Sequence, residues 1–148
     1  MEARLDYSGL APEGMAKMRE LEHYLNAKAG LEANLLEFVR LLASKLNGCH
    51  LCIALHTAEL HRHNETQDRI DDVTGWRGST LFTHRERAAL AWAEEITNIQ
   101  SGHAPDVVYN ELKSHFTQVE IVNLTLSITS INAWNRLTIA LGEHAGPR

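Results

Sequence analysis

Two residues, Asn47 and Gly48, separate two stretches whose apolar side chains recur with helical period. Before the break, Leu35, Leu36, Val39, Leu42, Ala43 and Leu46 fall on one stripe. After it, Cys49-His50-Leu51-Cys52-Ile53-Ala54-Leu55-His56 opens a second helix from a glycine turn. So short a connection makes the two helices antiparallel neighbours. The only two cysteines of the chain, Cys49 and Cys52, therefore form a C-x-x-C at a helix mouth.

The rise of a helix supplies a ruler along this hairpin. Glu37 precedes Gly48 by eleven residues, about 16 Å along its helix. His56 follows Gly48 by eight residues, about 12 Å along the other. Glu37 and His56 thus reach roughly the same level, with Cys52 one turn nearer the mouth and on the face of His56. Glu37 also sits among Leu35, Leu36, Phe38 and Val39, and a carboxylate beside such a stripe needs a partner because an isolated buried charge is costly.

A free thiol titrates near ~8.5, and a helix N-terminus or a nearby imidazole lowers that value. Glu37, His56 and Cys52 can accordingly form a proton relay, with Cys49 as the second half of the dithiol. By position at the helix mouth, Cys49 is the more exposed thiol. Metal binding is the alternative use of the same residues: Cys49, Cys52 and His56 as zinc ligands, with a fourth from His50, His61, His63 or Glu37. The chain has no second C-x-x-C and no His-x-x-x-His to support it. The plain readings are a surface carboxylate for Glu37, a structural role for His56, and solvation for His50, His61 and His63 on a polar helix end.

The rest of the chain reads as helix, so the expected fold is all-α. Helices are expected over about Pro12–Ala29, Glu32–Leu46, Cys49–His63, Glu65–Val73, from Thr83 to Gln100, from Pro105 to His115, and from Thr117 to Leu141. Thr83-His84-Arg85-Glu86 and Thr117-Gln118-Val119-Glu120 have capping-box spacing. Pro12, Pro105 and Pro147 fall at element starts or at the terminus, where proline does least damage. The last helix carries no charge from Ile121 to Asn135 and has apolar residues on every face. Such a helix is normally buried all round; contact with another subunit is the simplest way to cover it, and a central core helix in a monomer is the alternative. Trp76, Arg77 and Phe82 lie in a loop that is expected to pack rather than to bind.

At 148 residues the chain is expected to be one domain, 1–148, with its core at about 12–141. No stretch approaches the ~20 apolar residues needed to cross a bilayer. The first fifteen residues include Glu2, Arg4, Asp6 and Glu13 and hold no signal-like apolar core, so a cytoplasmic location is expected. A reducing compartment disfavours a structural disulfide. A formal charge of −5 with fourteen scattered basic residues argues against nucleic acid as partner, and no basic amphipathic face points to a membrane. There is no G-x-G-x-x-G and no phosphate-binding loop, hence no expected cofactor.

The spacing Glu37, Cys49, Cys52, His56 resembles that of the alkyl hydroperoxidase D-like proteins of the carboxymuconolactone decarboxylase superfamily. Phe82-Thr83-His84-Arg85-Glu86-Arg87-Ala88-Ala89-Leu90-Ala91-Trp92-Ala93-Glu94 and Asn132-Ala133-Trp134-Asn135-Arg136-Leu137 are similar to the same family's core. The resemblance implies a compact multi-helix fold, assembly into trimers or hexamers, and a thiol-dependent peroxidase or disulfide reductase activity. It implies that Cys52 attacks a hydroperoxide, that Cys49 resolves the sulfenic acid into a disulfide, and that Glu37 and His56 handle protons. It also implies a dithiol reductant, for example a lipoyl-bearing protein. Some family peroxidases have histidine directly before the second cysteine, where this chain has Leu51, and His50 lies about 100° away around the helix. The alternatives are a protein disulfide reductase or redox sensor with little peroxidase activity, and a non-redox metal-binding or interaction module.

Overall fold

The computed structural model describes residues 3–142 of the chain. Pro147 and Glu2, named above, lie outside the described residues. Within them the order is α1 (Tyr7–Leu10), α2 (Pro12–Ala27), α3 (Ala33–Asn47), α4 (His50–Arg62), α5 (Gln67–Asp72), a 3-10 turn (Val73–Gly78), α6 (His84–Thr97), α7 (Ile99–Gly102), α8 (Asp106–Lys113) and α9 (Gln118–Leu141). Among the described residues there is no strand, and no helix is long and apolar enough to cross a membrane.

Helix α3 is the centre of the fold and packs most extensively against α4, α6 and α9. Every residue from Leu35 to Ser44 is buried, so its stripe widens into a helix enclosed on all sides. Phe38, Leu41 and Leu42 join Leu60, Trp76, Phe82, Leu90, Leu112, Leu124 and Ile128 in the main core. Tyr7, Met15, Ala43, Ile131 and Trp134 form a smaller cluster where α2 crosses α9. The loop aromatics pack, as expected: Phe82 meets Phe38 edge-on at 5.3 Å, and Trp76 Nε1 donates to Glu94 Oε2 at 2.9 Å.

Both capping boxes are present, at Thr83/Glu86 and Thr117/Glu120. Helix α1 was not legible, because four residues are too few to display a period. The expected fifth helix breaks at Asn98, whose backbone leaves helical geometry before α7 begins.

Within the single chain, helix α9 is not buried all round. Val119, Val122, Leu126 and Ile139 are exposed, Val119 at 69% and Val122 at 59%. Polar Asn123, Ser127, Ser130, Asn132, Asn135 and Thr138 are buried instead. Those asparagines have partners: Asn123 takes Tyr24 and the Ala29 carbonyl, and Asn132 donates to Thr97 Oγ1 at 3.0 Å.

Candidate active site

The α3–α4 turn is built as a Schellman motif. Gly48 adopts a left-handed conformation, φ +70°, Cys49 N–H returns to the Ser44 carbonyl at 3.0 Å and Gly48 N–H to that of Lys45 at 3.2 Å. Cys49 then caps α4, and Cys52 lies in its first turn. The two sulfurs are joined as a disulfide with Cα atoms 5.3 Å apart.

Both cysteines are buried, Cys49 at 1% and Cys52 at 0% exposure. Cys49 at the helix mouth is thus scarcely more exposed than Cys52, and neither thiol is open to solvent. Packing of the turn against α9 closes the mouth: Asn47 Nδ2 donates to Asn132 Oδ1 and to Asn135 Oδ1, each at 2.9 Å. Asn135 Nδ2 in turn donates to Ser44 Oγ at 3.1 Å.

One turn further along, the structure brings Glu37 and His56 together. His56 Nδ1 donates to Glu37 Oε2 at 2.7 Å, joining residues nineteen apart in sequence. Burial pushes the Glu37 carboxyl up, but the hydrogen bond and charge of His56, followed by Arg40, outweigh it and hold the carboxyl below its ordinary value. Because an ionised carboxylate only accepts, the proton of a neutral His56 ring sits on Nδ1. The other ring nitrogen, Nε2, is buried and has no hydrogen-bond partner among the described residues. A disulfide has no S–H to offer it.

Arg40 was missed by sequence reasoning. It lies one turn from Glu37 in the middle of the apolar stripe, and that intrusion of a guanidinium was the available signal. Its Nη1 donates to Glu37 Oε1 at 2.6 Å and to Asn26 Oδ1 at 2.8 Å. Its Nη2 faces Glu22 Oε2 at 3.1 Å as an ion pair without hydrogen-bond geometry. Glu22 also accepts from Ser130 Oγ. Glu22, Arg40, Glu37 and His56 thus form one continuous chain of polar contacts.

A cavity of about 520 Å³ opens onto this chain. Its walls include Arg40, Glu37 and His56 together with Leu55, Ile131 and Trp134. Neither cysteine is among its lining residues. His50, His61 and His63 are exposed, in keeping with the solvated reading. Among the described residues no group of three or more His, Cys, Asp or Glu side chains is placed to hold a metal ion.

The model of the carboxymuconolactone decarboxylase family matches residues 12–95. The uncharacterized protein YdfG of Bacillus subtilis is 34% identical over the full length of both chains. A protein of unknown function from Agrobacterium tumefaciens, described as a candidate antioxidant defence protein AhpD, is 33% identical and superposes with a TM-score of 0.92 over 99% of this chain and 100% of its own. The AhpD-core, peroxidase-related protein of Ralstonia eutropha JMP134, itself uncharacterized, shares the fold. It has a TM-score of 0.81 at 20% identity, over 94% of this chain and 74% of its own.

Proposed function

The chain belongs to the carboxymuconolactone decarboxylase family, and from that premise we propose that it is a dithiol-dependent peroxidase. The observation that carries the reading is the Cys49–Cys52 disulfide one helical turn from the Glu37–His56 hydrogen bond. In the reduced protein, the Cys52 thiolate attacks the terminal oxygen of a hydroperoxide. The O–O bond breaks, the alkoxide leaves as alcohol after taking the proton held by His56, and Cys52 becomes a sulfenic acid. Cys49 then attacks that sulfur, water departs, and the disulfide forms. An external dithiol, for example on a lipoyl-bearing protein, returns both thiols at the cost of its own oxidation.

Burial of both cysteines favours a small oxidant over a protein disulfide as the partner of Cys52. The first-turn amides of α4 and the positive end of its dipole favour thiolate at this helix mouth. The exposed apolar residues of α9 support assembly into a homo-oligomer, which we include in the proposal.

Hydroperoxide consumption with a dithiol reductant, measured for wild type, Cys52→Ser and Cys49→Ser, tests the reading. Loss of turnover in Cys52→Ser, with a trapped sulfenic acid in Cys49→Ser, is expected. Undiminished turnover in both variants would overturn it.

A further inference from the structure

Arg40 is 2% exposed, and nothing in a helix interior requires a guanidinium at that place. A buried cation of this kind usually costs stability unless its contacts are complete. Here the contacts are divided between elements but incomplete: Nη1 donates to Asn26 on α2 and to Glu37 one turn back on α3, Nη2 only faces Glu22 on α2, and Nε has no hydrogen-bond partner among the described residues. The two oxygens of Glu37 are divided as well, Oε1 to Arg40 at 2.6 Å and Oε2 to His56 at 2.7 Å. With one oxygen pinned, the carboxylate cannot rotate about its last bond without breaking a charge-assisted hydrogen bond.

We propose that Arg40 is a positioning residue that orients the Glu37 carboxylate and thereby fixes the tautomer of His56. The inference rests on the reading that Glu37 and His56 serve the dithiol. Held this way, the neutral ring keeps its proton on Nδ1 and presents Nε2 as a bare acceptor. That nitrogen is buried and has no hydrogen-bond partner among the described residues in the disulfide form. Once an external dithiol has supplied two electrons and two protons to the disulfide, one of the resulting thiols passes its proton to Nε2 and is left as a thiolate. The resulting imidazolium is balanced by Glu37, and this second step moves a proton and no electron.

The charged groups around the fork come from three helices: Arg19, Glu22 and His23 on α2, Glu37 on α3, and His56 and Glu59 on α4. Glu59 is engaged by Arg62 at 2.8 Å, and Glu22 by Arg40 and Ser130. Arg40 is therefore the fixed cation in contact with Glu37, and a lysine, with a point charge in place of a fork, does not reproduce its geometry.

The test is the ¹⁵N spectrum of the His56 ring, recorded for wild type, Arg40→Met and Arg40→Lys with helix content checked by circular dichroism. Wild type is expected to hold a single Nδ1–H tautomer. Arg40→Met is expected to populate both tautomers, and Arg40→Lys to lie between. In the reduced proteins, thiol alkylation at neutral pH is expected to slow roughly tenfold in Arg40→Met, the size of a one-unit rise in thiol pKa. Should Arg40→Met fail to fold, Arg40→Lys, which retains the charge, decides the matter. A folded variant with the wild-type tautomer and the wild-type pH profile of alkylation would overturn the proposal. Absence of peroxide turnover in wild type would remove the proposed function instead, leaving the tautomer to decide the role of Arg40.

Discussion

Asn47 Nδ2 donates to Asn135 Oδ1 at 2.9 Å across 88 residues of sequence, and so fastens the turn that carries Cys49 to the C-terminal half of α9. Asn135 completes the link by donating to Ser44 Oγ, the residue whose carbonyl receives the Cys49 amide. The α3 end of the turn that leads into the disulfide is thus fastened to α9 at two points.

Replacing Asn135 by alanine removes an acceptor from Asn47 and the donor to Ser44. We expect a loss of about 1–3 kcal/mol, the cost of leaving such groups unpaired. We also expect faster reduction of the disulfide by a bulky dithiol, because the closed mouth is loosened. Denaturant unfolding and reduction kinetics check the two effects, and a variant as slowly reduced as wild type would remove the closure argument.

Glu37 links stability to pH. Its carboxyl lies below the ordinary value of 4.5 in the folded chain, so its contribution is complete above that value. It is lost as the pH falls through the folded value beneath it. In Glu37→Gln the corresponding part of the acid-induced loss of stability, below about pH 4.5, is expected to vanish. Unfolding free energies measured from pH 7 to pH 3 test this, and parallel curves for the two proteins would count against it. Peroxide turnover in the same variant is expected to fall about a hundredfold or more, as for loss of a proton-transfer group.

Gly48 is required by its backbone and not by space. Its φ is +70°, and a Cβ added there meets nothing within 4 Å. Gly48→Ala should therefore cost about 1–2 kcal/mol from the left-handed conformation alone. Gly48→Asn should cost less, since asparagine tolerates that region. Thermal melts of both variants give the order, and an equal loss in each would point to a steric cause instead.

The exposed residues of α9 bear on assembly. Val122 and Leu126 are exposed in the isolated chain, so Val122→Asp and Leu126→Glu should leave the helical content intact. Wild type is expected to sediment as an oligomer and the double variant as a monomer. A monomeric wild type at micromolar concentration would remove the proposed interface.

The placement of Glu37 level with His56 was readable because both distances run along helices from a two-residue turn, and helical rise is nearly constant. The capping boxes were readable for a similar reason, each being a contact within four residues. Arg40 was not, since the meaning of a lone guanidinium in an apolar stripe depends on which acceptors α2 delivers to it. Inward-facing asparagines on α9 were equally opaque, because hydropathy ranks the exposed valines as core and the buried amides as surface.

By itself, then, the sequence determined what is local: the helices, the αL turn, and a dithiol within one turn of a carboxylate–imidazole pair. Only the tertiary structure decided that the dithiol is shut in, that a cavity meets the polar chain and not the sulfurs, and that Arg40 holds Glu37. The physical reason is range. Backbone geometry propagates along a helix from neighbour to neighbour, whereas burial and hydrogen-bond pairing depend on partners such as Asn135 and Ser44, 91 residues apart, that meet only when the helices pack.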